Sequence, residues 1–421
     1  MTAEPIVVVG GGLAAARAVS TLREEGYDGD LVIVTSEPHL PYERPPLSKD
    51  YLRGHGERGA MFPFDDDWYR SHDVEVRTHA TAVGLAPDDH RVTLADGSTL
   101  PFGKLLLATG STPRTLPIPG VDLRGVHLLR TLDDADRLAG VLLRSALDGV
   151  DGTGPREGAV SVAVIGDGWI GLEVAASARQ LGLEVTVIGR SAHPLSRVLG
   201  PEMGEVYARA HERHGVRLRR RADVVGLTGQ GGRVTGVDLA DGSHVDAEAV
   251  VIGVGASPNV GLAASAGLSL RPAAEGGGVV VDATLRTTHP DIWAAGDIAS
   301  IPSATYGRPL RVEHWARAND SGPHAARAML GAGDAYDVLP YFYSDQYDLG
   351  MEYTGFVDGP GGYDEVVVSG SVDDGEAFAF WLRGGAVQAG MGLNVWDRMP
   401  EVERMIRAAT PPTRAALTSF V

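Results

Sequence analysis

The sequence predicts an α/β protein with two βαβ units and a C-terminal α+β domain. Three observations carry that prediction. Two strand–glycine turn–helix–strand segments begin near residues 5 and 160, about 155 residues apart. Each turn follows a run of Val, Ile or Ala and leads into an Ala-containing helical stretch. Beyond about residue 333 there is no further glycine turn of this type, only alternating or aromatic strand patterns.

The elements follow in order. PIVVV (5–9) reads as a buried strand, GGGLAAARAVSTLREEG as a helix ending at Gly26, and LVIVT (31–35) as the next strand. Short β segments fill 74–103, with a turn at Ala95-Asp96-Gly97. KLLLATGS (104–111) is a buried strand ending in a glycine turn, and the Pro-rich TPRTLPIPG (112–120) reads as a crossing between domains. The second unit is VSVAVIG (160–166), DGWIGLEVAASARQLG and LEVTVIG. Short strands recur over 216–246, and AVVIGVGASPN (249–259) echoes LLLATGSTPR. DIWAAGD (291–297) is a further strand, 313–330 a helix, and 398–409 a short final helix. The expected boundaries are 1–112 and 248–330 for a divided first domain, 113–247 for the second and 331–421 for the third.

Composition narrows the chemistry. The 421 residues are 43% hydrophobic and 22% charged, enough for sizeable cores. The net charge of −18 argues against a general nucleic-acid binder. No stretch of 18 apolar residues occurs, and MTAEPIVVVGGG lacks a basic n-region, so neither a membrane span nor a cleaved signal peptide is expected and a cytoplasmic location is. Cysteine is absent, which excludes a disulfide framework, a Cys-ligated cluster, a thiolate nucleophile and a redox CxxC pair. Electrons, if they move, need an organic cofactor; no metal site is expected.

The first fingerprint is Gly10-x-Gly12-x-x-Ala15. In such a Rossmann-like turn the first Gly permits the bend, the second lets a pyrophosphate approach the backbone, and the third small residue keeps helix and strand close. Glu37 stands where a carboxylate accepts from a ribose hydroxyl. The second fingerprint is Gly166-x-Gly168-x-x-Gly171. After its second strand the expected carboxylate is replaced by Gly189-Arg190, which points toward a 2′-phosphate and NADP(H); the alternative is a solvated Arg190 with NAD(H) bound through other contacts. Asp167, inside the turn, should weaken pyrophosphate binding unless it points away. Asp297, after Gly296, is either a turn former or a ligand for a polyol chain. Glu173 is expected in the first turn of its helix, where the dipole alone favours a carboxylate. Lys49 matters because the chain has only one other lysine, Lys104.

The ordered set VVVGGGLAAARA (7–18), YERPPLSKDYL (42–52), LLLATGSTPR (105–114), VIGDGWIGLEVAA (164–176), IGVGASPN (252–259), AAGDIA (294–299), RVEHWARA (311–318), YFYSDQYDL (341–349) and AGMGLNVWD (389–397) resembles a known family. These are the FAD-dependent NAD(P)H:ferredoxin reductases of bacterial cytochrome P450 and dioxygenase systems, of the putidaredoxin-reductase type. The resemblance implies a glutathione-reductase-like fold, with two Rossmann-like FAD/NAD(P)-binding domains and a C-terminal α+β interface domain. It implies FAD over Gly10–Gly12 with its ribose near Glu37, and Arg44, Pro45 and Lys49 along the cofactor. Asp297 would hold the ribityl chain. The helix beginning near Glu313 would point its N-terminus at the pyrimidine end of the ring, with His314 and Trp315 nearby. Glu173 would pair with Lys49 beside flavin N5, and these two are the candidate catalytic residues. Thr109, Gly110, Arg114, Gly255 and Gly296 are further cofactor-site candidates in the first domain's motifs, and Ile170 and Arg190 in the second's. The family usually has Glu where Gly189 stands and a small neutral residue where Asp167 stands.

The implied activity is hydride transfer from NADPH or NADH to flavin N5, then one-electron transfer to a small soluble [2Fe–2S] ferredoxin that supplies a P450 or other oxygenase. The alternatives are a cysteine-independent NAD(P)H oxidase and an AIF-like NAD(P)H-responsive flavoprotein. For docking an acidic ferredoxin, Arg311 and Arg317 are the expected contacts, and the RLRRR run at 217–221 is expected to be a solvated face.

Overall fold

The computed structural model describes residues 4–147 and 160–421. They group into two compact units. One comprises Met1–Glu43, Arg58–Thr112 and Ser257–Pro340; the other comprises Arg44–Glu57, Pro113–Ala256 and Tyr341–Val421. The opening residues 1–3, part of the segment that lacks a basic n-region, lie outside the described residues.

The first unit is built on a five-stranded parallel sheet. Its order is Ile292–Ala294, Lys104–Leu107, Ile6–Val9, Leu31–Val34 and Val74–Arg77. Ile6–Val9 and Leu31–Val34 are buried at every position, because a parallel sheet covered on both faces requires apolar residues without alternation. The helix Leu13–Glu24 returns over the sheet through Ala15, Ala18, Val19 and Leu22, none of them accessible to solvent. The helix Trp315–Met329 approaches it closely. A Cβ on Gly322 would lie 2.3 Å from the Ala14 carbonyl oxygen, so only glycine fits there.

The second unit repeats the plan. Its parallel sheet runs Arg217–Arg219, Glu184–Ile188, Ser161–Ile165, Ala249–Ile252 and Val126–His127. Ala249–Ile252 pairs with Ser161–Ile165 as Lys104–Leu107 pairs with Ile6–Val9, which explains the echo between the two segments. This differs from the boundary expected at 247/248, which gave that strand to the first domain. An all-apolar strand carries no mark of which sheet will bury it.

The C-terminal domain also groups differently from expectation. Its antiparallel sheet, Tyr341–Gln346, Leu349–Gly355, Ala386–Leu393, Glu376–Arg383 and Glu365–Ser371, belongs to the second unit. Met351, Tyr353 and Trp381 share one apolar core with Leu172, Leu199 and Tyr207. The buried Trp381 indole donates from Nε1 to the Leu199 carbonyl at 3.0 Å. Truncating such a side chain to Ala costs about 3–5 kcal/mol, so this sheet is a structural partner of the second Rossmann-like domain. Among the described residues no helix is long and apolar enough to cross a membrane.

Candidate cofactor-binding and catalytic site

In the first unit the glycine turn separates packing from ligand space. Gly10 has φ 125°, and a Cβ there would lie 2.0 Å from the Ala108 carbonyl oxygen. Around Gly12 an added Cβ would meet nothing within 4 Å. Gly12 caps the helix Leu13–Glu24 without a side-chain hydrogen bond, and the first turn contains no acidic residue. The helix N–H groups and their partial positive charge therefore face open space, the arrangement that receives a diphosphate. Ala15 is fully buried and keeps the helix on the sheet.

Carboxylates stand on either side of this cradle's chemistry. Glu37, half-buried beyond the strand Leu31–Val34, accepts a hydrogen bond from the Tyr42 hydroxyl. Asp297 is buried, placed by the left-handed Gly296 (φ 72°), and accepts from the Ser111 hydroxyl at 2.7 Å. The Gly296 N–H donates to Ser321 Oγ at 2.9 Å. Thr109 and Gly110 are clamped by Asn259: the Thr109 hydroxyl donates to the Asn259 carbonyl at 2.7 Å, and the Asn259 N–H donates to the Gly110 carbonyl at 2.9 Å. His314 caps the 15-residue helix Trp315–Met329, again without a side-chain cap bond or an acid in the first turn. Burial, reinforced by the Arg317 guanidinium, pushes the His314 pKa down to about 3, so the imidazole is neutral. An open N-terminal cradle with carboxylates for ribose and polyol hydroxyls fits the donor set that a flavin dinucleotide needs.

Glu313 is exposed and pairs with Arg311 at 2.8 Å. This corrects the expected docking role of Arg311. Its side chain is 11% exposed and also donates to the Gly276 and Asp297 carbonyls, at 2.6 and 3.2 Å. Arg317 is buried, with its guanidinium 5.0 Å from the Tyr336 ring centre, and is likewise no surface contact. Sequence alone cannot separate a steering arginine from one spent on backbone carbonyls.

In the second unit the two leading glycines of the turn repeat the same pattern. Gly166 has φ 116°, and a Cβ there would lie 2.2 Å from the Gly253 carbonyl oxygen; around Gly168 nothing lies within 4 Å. A Cβ on Gly171 would lie 2.2 Å from the Gly166 carbonyl oxygen, so this glycine serves packing. Ile170 is exposed in the first turn of the helix Trp169–Gln180. Gly255, at φ 99°, has open space around it and accepts from the Arg114 N–H at 2.8 Å.

Glu173 is not in that first turn, as the sequence suggested; the helix begins earlier, at Trp169, and its first turn has no acid. Its partners are side chains rather than the dipole. Lys49 Nζ lies 2.8 Å from Glu173 Oε1, and the Ser344 hydroxyl donates to the same oxygen at 2.6 Å. The Ser48 hydroxyl donates to Oε2, and the Ser177 hydroxyl donates to the Ser48 carbonyl at 2.7 Å. With Glu173 only 4% exposed, these donors compensate the lost hydration. The Lys49 ammonium also lies 5.8 Å from the Tyr343 ring centre. Pro45 and Pro46 start the short helix Pro45–Ser48 that delivers Ser48 and Lys49, and Arg44 anchors it by donating to the Arg130 carbonyl at 2.5 Å. Burial raises the pKa of Asp345 and the Lys49 charge opposes that rise. Ser48, Ser111 and Ser344 lie in the motifs RPPLSK, LATGS and SDQYDL, so the signal was present; what a sequence does not show is which hydroxyl turns toward which carboxylate.

Arg190 pairs with Asp223 at 2.8 Å while remaining 87% exposed. Asp167 points away from the turn: its Oδ2 lies 2.2 Å from where a Cβ on Gly189 would be. Burial raises its pKa, while backbone N–H donors, including Ser191's, and the charge of Arg197 hold it back. Elsewhere, among the described residues, His90, His289 and Asp291 have the composition of a metal site. His289 Nδ1 accepts from the Asp291 N–H at 3.2 Å.

The chain matches two family models: pyridine nucleotide-disulphide oxidoreductase over residues 4–322 and reductase C-terminal over 341–419. It is 34% identical over 417 residues to rhodocoxin reductase of Rhodococcus erythropolis, covering 99% of this chain and 92% of that protein. It is 37% identical over 416 residues to the anthranilate 1,2-dioxygenase system ferredoxin–NAD(+) reductase component of Burkholderia cepacia, covering 98% and 96%. Its fold superposes with a TM-score of 0.91 on the reductase chain of the covalent putidaredoxin reductase–putidaredoxin complex, at 30% identity and covering 100% and 96% of the chains.

Proposed function

We propose, because the chain belongs to the pyridine nucleotide-disulphide oxidoreductase family, that it is an FAD-dependent NAD(P)H:ferredoxin reductase. The observation that carries this reading is the presence of two open glycine-turn cradles in a chain without a single cysteine. Thiol–disulphide exchange is closed to such a chain, so electrons must pass to an external acceptor. Bound FAD supplies the conversion of a hydride pair into single electrons.

The protein's residues bind, orient and set charge. The turn Gly10–Gly12 holds the FAD diphosphate, Glu37 takes a ribose hydroxyl and Asp297 the polyol chain. The uncapped N-terminus of Trp315–Met329 favours negative charge at the pyrimidine end of the ring, and the neutral His314 adds no competing cation. Glu173 holds the Lys49 ammonium in one position, and we assign this pair to the N5 end, where it orients the incoming nicotinamide. The turn Gly166–Gly168 holds the coenzyme diphosphate. The named relatives and solved structures, from a dioxygenase system, a CYP system and a putidaredoxin complex, support a ferredoxin as acceptor that feeds a P450 or another oxygenase, and we assign a small [2Fe–2S] protein to that place. A cytoplasmic site of action agrees with dependence on NAD(P)H.

The test is anaerobic reduction of the purified yellow protein by NADH or NADPH, followed by mixing with [2Fe–2S] ferredoxins. The flavin absorbance should bleach and then recover as ferredoxin is reduced. Rapid bleaching with no ferredoxin reduction, but fast reoxidation by oxygen, would establish the oxidase reading instead.

A further inference from the structure

The acceptor that a Rossmann-like domain offers to the coenzyme ribose normally stands at the end of its second strand. In the second unit that strand is Glu184–Ile188, and the next residue, Gly189, has no side chain. The space is nevertheless filled. The Asp167 carboxylate reaches across from the glycine turn, with Oδ2 at 2.2 Å and Cγ at 2.6 Å from the position of a Gly189 Cβ. Any larger residue at 189 would collide with it. The backbone of both residues is held in place. The Leu195 N–H donates to the Asp167 carbonyl at 3.0 Å, and the Gly189 N–H donates to the Arg219 carbonyl at 2.9 Å.

We propose that Asp167 supplies from the glycine turn the carboxylate missing at residue 189, accepting the adenosine 2′-hydroxyl and repelling a 2′-phosphate, so that the coenzyme is NADH. This rests on the reading of the second unit as the coenzyme domain. The carboxylate that would harm a pyrophosphate if turned inward is turned outward, to the ribose end. Arg190, the residue that favours a 2′-phosphate in the sequence, already carries a carboxylate partner in Asp223, at 2.8 Å. A hydrogen bond to a charged acceptor, together with repulsion of a phosphate, discriminates by about tenfold or more.

Calorimetric titration of the FAD-loaded protein with ADP-ribose and with its 2′-phosphate separates this from catalysis. ADP-ribose should bind at least about tenfold more tightly. Asp167→Asn should narrow that ratio and Asp167→Ser should abolish it, with FAD content unchanged in both. The double variant Asp167→Gly with Gly189→Glu should restore it by moving the carboxylate back to the strand end. Tighter binding of the 2′-phosphate by the unaltered protein, or a ratio indifferent to residue 167, would overturn the inference and leave the coenzyme domain standing. Binding of neither probe would overturn both.

Discussion

The two glycine turns of this protein share a backbone geometry and differ in where a carboxylate stands beside them. Gly10 and Gly166 both have φ near 120° and both would drive a Cβ to about 2 Å from a carbonyl oxygen of the adjacent strand's continuation. Gly12 and Gly168 are both open, and both helices start without a side-chain cap. Beyond the second strand they part. The first unit has Glu37, steadied by Tyr42; the second has a bare Gly189 with Asp167 laid over it. The bend at Gly10 and Gly166 is set by backbone contacts that tolerate no side chain. The carboxylate beside it is a side-chain matter, and a residue from another segment can stand there.

Substitution in the turns should give the largest effects. Gly10→Ala and Gly166→Ala each force a Cβ into a carbonyl at a strained φ, costing roughly 3 kcal/mol or more. Gly10→Ala should yield colourless protein, whereas Gly166→Ala should retain FAD and lose ADP-ribose binding. Equal loss of flavin in both, read from absorbance per chain, would show that the two cradles are not independent.

The next effect is kinetic. Lys49→Met and Glu173→Gln should slow flavin reduction by NAD(P)H roughly tenfold or more while FAD stoichiometry holds. Lys49→Met should also lower stability, since it leaves the Glu173 carboxylate buried with only hydroxyl donors, a loss of up to about 3–5 kcal/mol. Stopped-flow reduction at the unaltered rate in both variants would remove the pair from the site.

The smallest effect concerns Arg311. Tied to two carbonyls and Glu313, it should act on stability: Arg311→Gln should cost about 1–3 kcal/mol in thermal unfolding. The ionic-strength dependence of ferredoxin association should stay the same, whereas a shallower salt dependence would return Arg311 to the docking surface.

Much of this was legible in the chain. Runs such as VVV and VAVI mark strands buried on both faces, and the glycine spacing marks the turns, because both rest on local sterics. The resemblance carried by RPPLSK implies a pair of Lys49 with Glu173, and the two lie 2.8 Å apart. What the sequence by itself determined was therefore the fold class, the two cradles and the absence of thiol chemistry. Only the tertiary structure decided that Ala249–Ile252 closes the second sheet, that the C-terminal sheet shares that domain's core, that Ser48 and Ser344 satisfy Glu173, that Arg311 is spent internally and that Asp167 covers Gly189. Each of these is a contact between residues distant in sequence or a choice of side-chain direction, and neither leaves a periodic trace in the chain.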